Sequence, residues 1–128
     1  MDNINIQVQQ IIKKYFKDAK MQKTIKTISI RGIFKLNDVY NNIVMKENYE
    51  IEIIIPYNYP KELPIVKEIG GKISTTYNHM YIDRSLCLAT DGDMRISLSP
   101  NYSLDKFIEK YVISFFYSFT YYKKYEIY

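Results

Sequence analysis

The sequence predicts one α+β domain over residues 1–128, an antiparallel four-stranded meander with a helix before it and a long helix after it. Three observations carry this. Apolar residues recur every three or four positions near both ends and every second position between them. The connections between the middle segments are too short for crossover helices, and only antiparallel neighbours tolerate that. With 128 residues, 47% of them hydrophobic, the chain suits a single packed core and leaves little room for two.

The first helix is predicted over 4–20. Val8, Ile11, Ile12, Tyr15, Phe16 and Ala19 form one apolar stripe, with Gln9, Gln10, Lys13, Lys14 and Lys17 on the other side. Asn3 or Asn5 is the candidate cap. A strand follows over 26–36, where Ile28, Ile30, Phe34 and Leu36 alternate with Ser29, Arg31, Ile33 and Lys35, and Gly32 stands in the apolar series. Asn37 and Asp38 signal a turn. A weaker strand over 40–46 and a stronger one over 48–55 come next, the latter with Tyr49, Ile51, Ile53 and Ile55 on one face and Glu50 and Glu52 on the other. A fourth short strand fits Ile65 to Ile69.

Regularity then stops. Pro56, Pro60 and Pro64 each fix φ and lack a backbone donor, so they describe a stiff crossover along the sheet edge. Gly70 and Gly71 permit a sharp turn. Residues 72–93 show no sustained period and read as a long ordered loop, pinned to the core by Tyr77, Met80, Tyr81, Ile82, Leu86 and Leu88. The second helix is predicted over 103–124, capped by Ser103, with Asp105 in its first turn. Leu104, Phe107, Ile108, Tyr111, Phe115 and Phe119 form its stripe. Val112, Ile113, Phe116 and Tyr117 widen that stripe almost all round, as in a deeply buried helix or one that meets a partner.

Charge and composition exclude some classes. The net charge of +4 is spread along the chain without a run of five Lys and Arg, so no nucleic-acid stripe is expected. No apolar run approaches the ~18 residues that span a bilayer. The start, MDNINIQVQQ, lacks the charged and apolar blocks of a signal peptide. One cysteine cannot form an internal disulfide, and a cytoplasmic location is expected.

The loop holds the only histidine and the only cysteine. A lone cysteine between two leucines is by itself most simply a small core residue. In an irregular segment, a partly exposed thiol can instead ionise and carry an acyl group as a thioester. His79, eight residues before Cys87, has two functional roles open to it. It can act as a base toward the thiol, or donate to a developing oxyanion or support the loop that does so. A structural metal site needs more ligands than one Cys and one His. Asp91, Gly92 and Asp93 read as a tight turn, because a calcium loop needs further carboxylates. No GxGxxG or phosphate loop is present, and no cofactor is expected. A cysteine hydrolase lacks an assignable orienting acid or amide.

Taken together, these pieces resemble a ubiquitin-conjugating-enzyme (UBC-like) domain over about residues 4–120. YEIEIIIP at Tyr49 to Pro56, followed by Tyr59-Pro60 and Pro64, resembles that family's third strand and Tyr-Pro-x-x-Pro-Pro crossover. Leu86-Cys87-Leu88 resembles the segment that holds its thioester cysteine. The match is nearer to the family's bacterial branch, with its Tyr-Pro-x-x-x-Pro-x-Val-x-Glu (Tyr59, Pro60, Pro64, Val66, Glu68), its Gly-x-Ile (Gly71, Ile73) and a His eight residues before the Leu-Cys-Leu (His79). His79 stands where the eukaryotic His-Pro-Asn motif has its Asn, and Asn78 and Met80 do not complete that motif. The family often has Asp-Gly before the cysteine. Here it is Asp83-Arg84, followed by Ser85, and the turn is expected to differ because Arg resists a positive φ.

The resemblance implies an acyltransferase in which a ubiquitin-like C-terminus, loaded by an adenylating activating enzyme, passes to Cys87 as a thioester and then to a target lysine. His79 is implied as the oxyanion donor or loop support, with Asn78, Asp83, Arg84 and Ser85 as the supporting loop. Bacterial relatives sit in antiphage (CBASS) defence operons, where the modified protein is a nucleotidyltransferase (CD-NTase) acting through its C-terminus. The partners implied are therefore the activating enzyme, the modifier and the target, with no membrane or nucleic acid. The competing reading is a non-catalytic binding module of the same fold, like the ubiquitin-binding variants and RWD domains, which typically lack the cysteine.

Overall fold

The computed structural model describes residues 4–77, 79–88 and 103–125. An N-terminal helix α1 (Ile4–Tyr15) leads into an antiparallel sheet of four strands: β1 (Phe16–Lys23), β2 (Thr27–Tyr40), β3 (Ile43–Pro56) and β4 (Ile65–Glu68). They lie side by side in chain order. The C-terminal helical segment has three consecutive sections: α2 (Leu104–Phe107), a π-helical turn (Ile108–Val112) and α3 (Ile113–Tyr125). The architecture is thus the expected α+β arrangement of helix, meander and helix. Among the described residues, no helix is long and apolar enough to cross a membrane.

The strands differ from expectation in a way that leaves their number unchanged. The helix expected over 4–20 stops at Tyr15, and residues 16–23 form β1. Phe16 is buried opposite Phe34, so its apolar side chain serves a strand face as well as it would a helical stripe. β1 is irregular between Lys17 and Lys20, and Asp18 there has φ 55°. Ala19 at this bulge passes so close to Gly32 that a Cβ on Gly32 would lie 2.8 Å from the Ala19 Cα. Glycine therefore sits at residue 32 because β1 leaves no room for a side chain. Asn5 lies inside the helix rather than at its cap, and Asn3 lies outside the described residues.

The turn expected at Asn37-Asp38 is also displaced. β2 runs on to Tyr40, paired with Ile43, and the chain reverses at Asn41 and Asn42 with φ of 49° and 66°. Two consecutive positive φ values are what a tight hairpin requires, and Asn tolerates them. The strands expected over 40–46 and 48–55 are accordingly one continuous β3. The alternation itself is as expected: Ile28, Ile30, Phe34, Leu36, Tyr49, Ile51, Ile53 and Ile55 all face the core.

Helices and sheet enclose one core. Phe116 stacks on Tyr49 at 4.5 Å between centroids and meets Phe34 at 5.6 Å. From α1, Val8, Ile11 and Tyr15 complete it. Each such buried side chain contributes ~1.5–3 kcal/mol. The π turn decides which helical residues take part. Ile113 N–H reaches back to the Ile108 carbonyl, a wider turn than in an α-helix. The inward position therefore moves on from Tyr111 and Phe115 to Val112 and Phe116, which are fully buried, while Tyr111 and Phe115 are only half-buried.

The start of the C-terminal helical segment is pinned from three sides. The Ser103 side chain accepts from Lys106 N–H, as a cap should. The buried Gln7 side chain accepts from Leu104 N–H at 2.8 Å. Asp105 accepts from Lys14 and, through a short hydrogen bond, from the Tyr15 hydroxyl. Burial, and then that bond to Asp105, push the Tyr15 phenol up to about 12. The crossover joins the same region. Tyr59, ahead of the cis Tyr59-Pro60 bond, is buried edge-on against Phe107 and donates to the Ser103 carbonyl at 3.3 Å.

Candidate functional site around Cys87

After β4 the chain turns at Gly71, whose φ of 79° glycine adopts freely. It then runs through Tyr77, folds back over 81–84 and returns along the sheet edge. Leu86 N–H donates to the Val66 carbonyl at 2.8 Å, and Ser85 bridges to Lys67. Cys87 N–H donates to the His79 carbonyl at 2.8 Å, and Met80 bridges to Leu86. The two residues singled out as reactive are thus held side by side by the main chain. Met80 and Leu86 are buried beneath them and act as the loop's anchors. Tyr81 and Ile82, expected to be anchors too, are exposed at 56% and 93%. They occupy the tip of the turn, which Arg84 N–H closes onto the Tyr81 carbonyl.

Cys87 is half-buried and His79 exposed. Both line one end of a groove of about 770 Å³ between the loop, α3 and the β2–β3 hairpin. Tyr117 closes the hairpin end by donating to the Ile43 carbonyl at 2.6 Å. Ser114 and Ser118 line the helical side, flanked by Tyr121 and Tyr122. The His79 ring packs edge-on against Tyr77 at 5.6 Å, and Tyr77 in turn packs on Phe119 at 5.1 Å. Burial raises the Tyr77 phenol's pKa.

Tyr81 belongs to the site, although its sequence position marks it only as an aromatic in a loop. Hydrogen bonding with Cys87, followed by the charge of its thiolate, holds the Tyr81 phenol above the ordinary tyrosine range. The Cys87 amide is already engaged by the His79 carbonyl, so in this arrangement it does not donate to an oxyanion on an acyl-Cys87.

The supporting residues divide. Asp83 accepts from Ser85 N–H at 2.9 Å and from its hydroxyl at 2.6 Å, and these bonds lower its pKa. Arg84 corrects the expectation that it would avoid a positive φ, for it sits at 70°. The conformation costs ~1–2 kcal/mol, and the side chain offsets it. The Arg84 guanidinium donates to the Glu68 carbonyl at 2.7 Å, to the Ile73 carbonyl at 2.8 Å and, in a shorter bond, to the Glu68 carboxylate. Hydrogen bonds involving a charged group contribute ~1.5–3 kcal/mol each, so the balance favours the turn. Glu68 is fully buried and also accepts from Lys72 N–H at 3.2 Å and Ile73 N–H at 3.1 Å. One signal in the sequence pointed to it: Glu68 has the same strand parity as buried Val66, which aims a carboxylate inward. Asn78 lies outside the described residues, as do Asp91, Gly92 and Asp93.

Among the described residues no cluster of three or more His, Cys, Asp and Glu could hold a metal ion. Comparison with protein-family models, with curated proteins and with solved structures finds no match to this chain.

Proposed function

We propose that the chain is a UBC-like acyltransferase that carries a ubiquitin-like or other protein C-terminus as a thioester on Cys87. One observation carries the reading. The only thiol is partly exposed at the end of an open groove, on a main chain locked to its neighbours, behind a proline crossover in a helix–meander–helix frame. The Cys87 thiolate attacks the carbonyl of the donor's thioester on an activating enzyme, whose thiolate leaves. A lysine amine of the target then attacks the Cys87 thioester carbonyl. Its C–N bond forms as the C–S bond breaks, the Cys87 thiolate leaves and the amine's proton passes to solvent. His79, held beside Cys87 by the main chain, serves as the donor to the carbonyl oxygen as it gains charge. No triad is required, because a thioester is already activated. The reaction belongs in the cytoplasm, where a single thiol stays reduced. By the same resemblance, it serves bacterial antiphage defence.

Supplied with an activating enzyme and modifier from neighbouring genes, the protein forms an adduct that reductant removes and Cys87→Ala abolishes. His79→Ala charges normally and discharges to free lysine at least about tenfold more slowly. A wild-type protein that stays uncharged while the activating enzyme itself is charged would falsify the reading.

A further inference from the structure

We infer that Arg84 and Glu68 form a positioning clamp for the reactive loop, in which a guanidinium does what a glycine's conformational freedom does at such a turn. The inference rests on Cys87 as the reacting group.

Three segments meet at this pair. Glu68 ends β4, Ile73 follows the glycine turn, and Arg84 precedes Cys87 by three positions. The Arg84 guanidinium reaches the Glu68 carbonyl, the Glu68 carboxylate and the Ile73 carbonyl together. In the opposite direction, Glu68 N–H donates to the Arg84 carbonyl at 3.2 Å. Arg84 is therefore held to Glu68 through both its main chain and its side chain, at a φ of 70°. That backbone reversal sends Ser85 and Leu86 back along β4 and brings the Cys87 amide under the His79 carbonyl.

A planar fork matches three acceptors at fixed angles, which a lysine cannot do. The Glu68 carboxylate is fully buried, and its donors come from Arg84 and from the main chain of Lys72 and Ile73. Neither residue lines the groove. Both act through the main chain and are positioning residues.

The test reads thiol placement without any modifier. Iodoacetamide alkylates Cys87 in wild type, Arg84→Gly, Arg84→Lys and Glu68→Gln, each with its unfolding midpoint measured. Glycine keeps the turn and removes the clamp, so Arg84→Gly carries the test even where Glu68→Gln folds poorly. Arg84→Gly and Glu68→Gln react at least about threefold faster than wild type, Arg84→Lys falls between, and the double variant reacts no faster than the faster single. A wild-type rate in Arg84→Gly overturns the clamp, because the turn alone would then suffice. Ile11→Val, a core variant on α1 that lowers the midpoint, keeps the wild-type rate. An equal acceleration there also overturns the clamp, because the pair would act only through global stability. Failure of thioester loading would end the transfer reading and leave these rates to judge the clamp.

Discussion

On the inner face of the sheet, Phe34, Tyr49 and Phe116 meet ring to ring, with Ile28, Ile30, Ile51 and Ile53 filling the space around them. In the loop from Ile73 to Leu88, the buried apolar side chains are Ile73, Met80 and Leu86, and order comes instead from main-chain bonds and the Glu68–Arg84 pair. The first region gains its free energy from area, which is non-directional and spread over many contacts. The second gains it from a few directional bonds, each of which sets a local geometry. A substitution in the core should therefore change how much protein is folded. One in the loop should change where Cys87 sits. The proposed transfer reaction would benefit from this division, since the scaffold can be stable without the loop being heavily packed.

The largest expected effect tests the scaffold. Phe116 is fully buried, and Phe116→Ala removes its contacts with Phe34 and Tyr49, at a loss of about 3–5 kcal/mol in urea unfolding. Iodoacetamide should still modify the folded fraction at the wild-type rate. If the rate rises in step with the lost stability, the two regions are one cooperative unit and the contrast between them fails.

A smaller effect concerns the polar link between the two helical ends. Burial raises the Asp105 pKa, but hydrogen bonds from Tyr15 and Lys14 outweigh it, so the net direction is down from 3.8. A depressed carboxylate stabilises the fold above its unfolded pKa, and the contribution fades as pH falls through the depressed folded value. Asp105→Asn should therefore cost about 1 kcal/mol at pH 6, discounted for the solvent exposure of the Lys14 pair, and the deficit should close toward zero in acid. A deficit that persists unchanged at the acid end would assign the loss to packing.

The smallest effect lies at the site. Interaction with Cys87 raises the Tyr81 phenol pKa, so Cys87→Ser should bring it back toward the ordinary value of 10.0. Ring-labelled tyrosine followed by NMR through alkaline pH checks this. A Tyr81 titration that ignores the substitution would remove the phenol from the thiol's surroundings.

Periodicity is a local property, and it made the alternation in β2 and β3, the Ser103 cap and the approximate span of the C-terminal helical segment legible in the residues alone. Where two periods overlap, local reading failed. Phe16 suits a helix stripe and a strand face equally, and its pairing with Phe34 decided between them. Val112 and Phe116 took the core positions from Tyr111 and Phe115 because one π turn shifted the phase. Asn37-Asp38 and Asn41-Asn42 carry the same kind of turn chemistry, and the cross-strand register selected the second pair.

Cys87 and His79 stood out because they are the only residues of their kinds in the chain. Their adjacency did not follow from that. It depends on a left-handed turn at Arg84, whose local preference opposes it. The acceptors that overcome that preference, Glu68 and Ile73, lie 16 and 11 residues away in the chain. A sequence ranks each residue's own conformational preference. Only the folded chain brings together the distant groups strong enough to reverse one, which is why the frame was readable early and the geometry around the thiol was not.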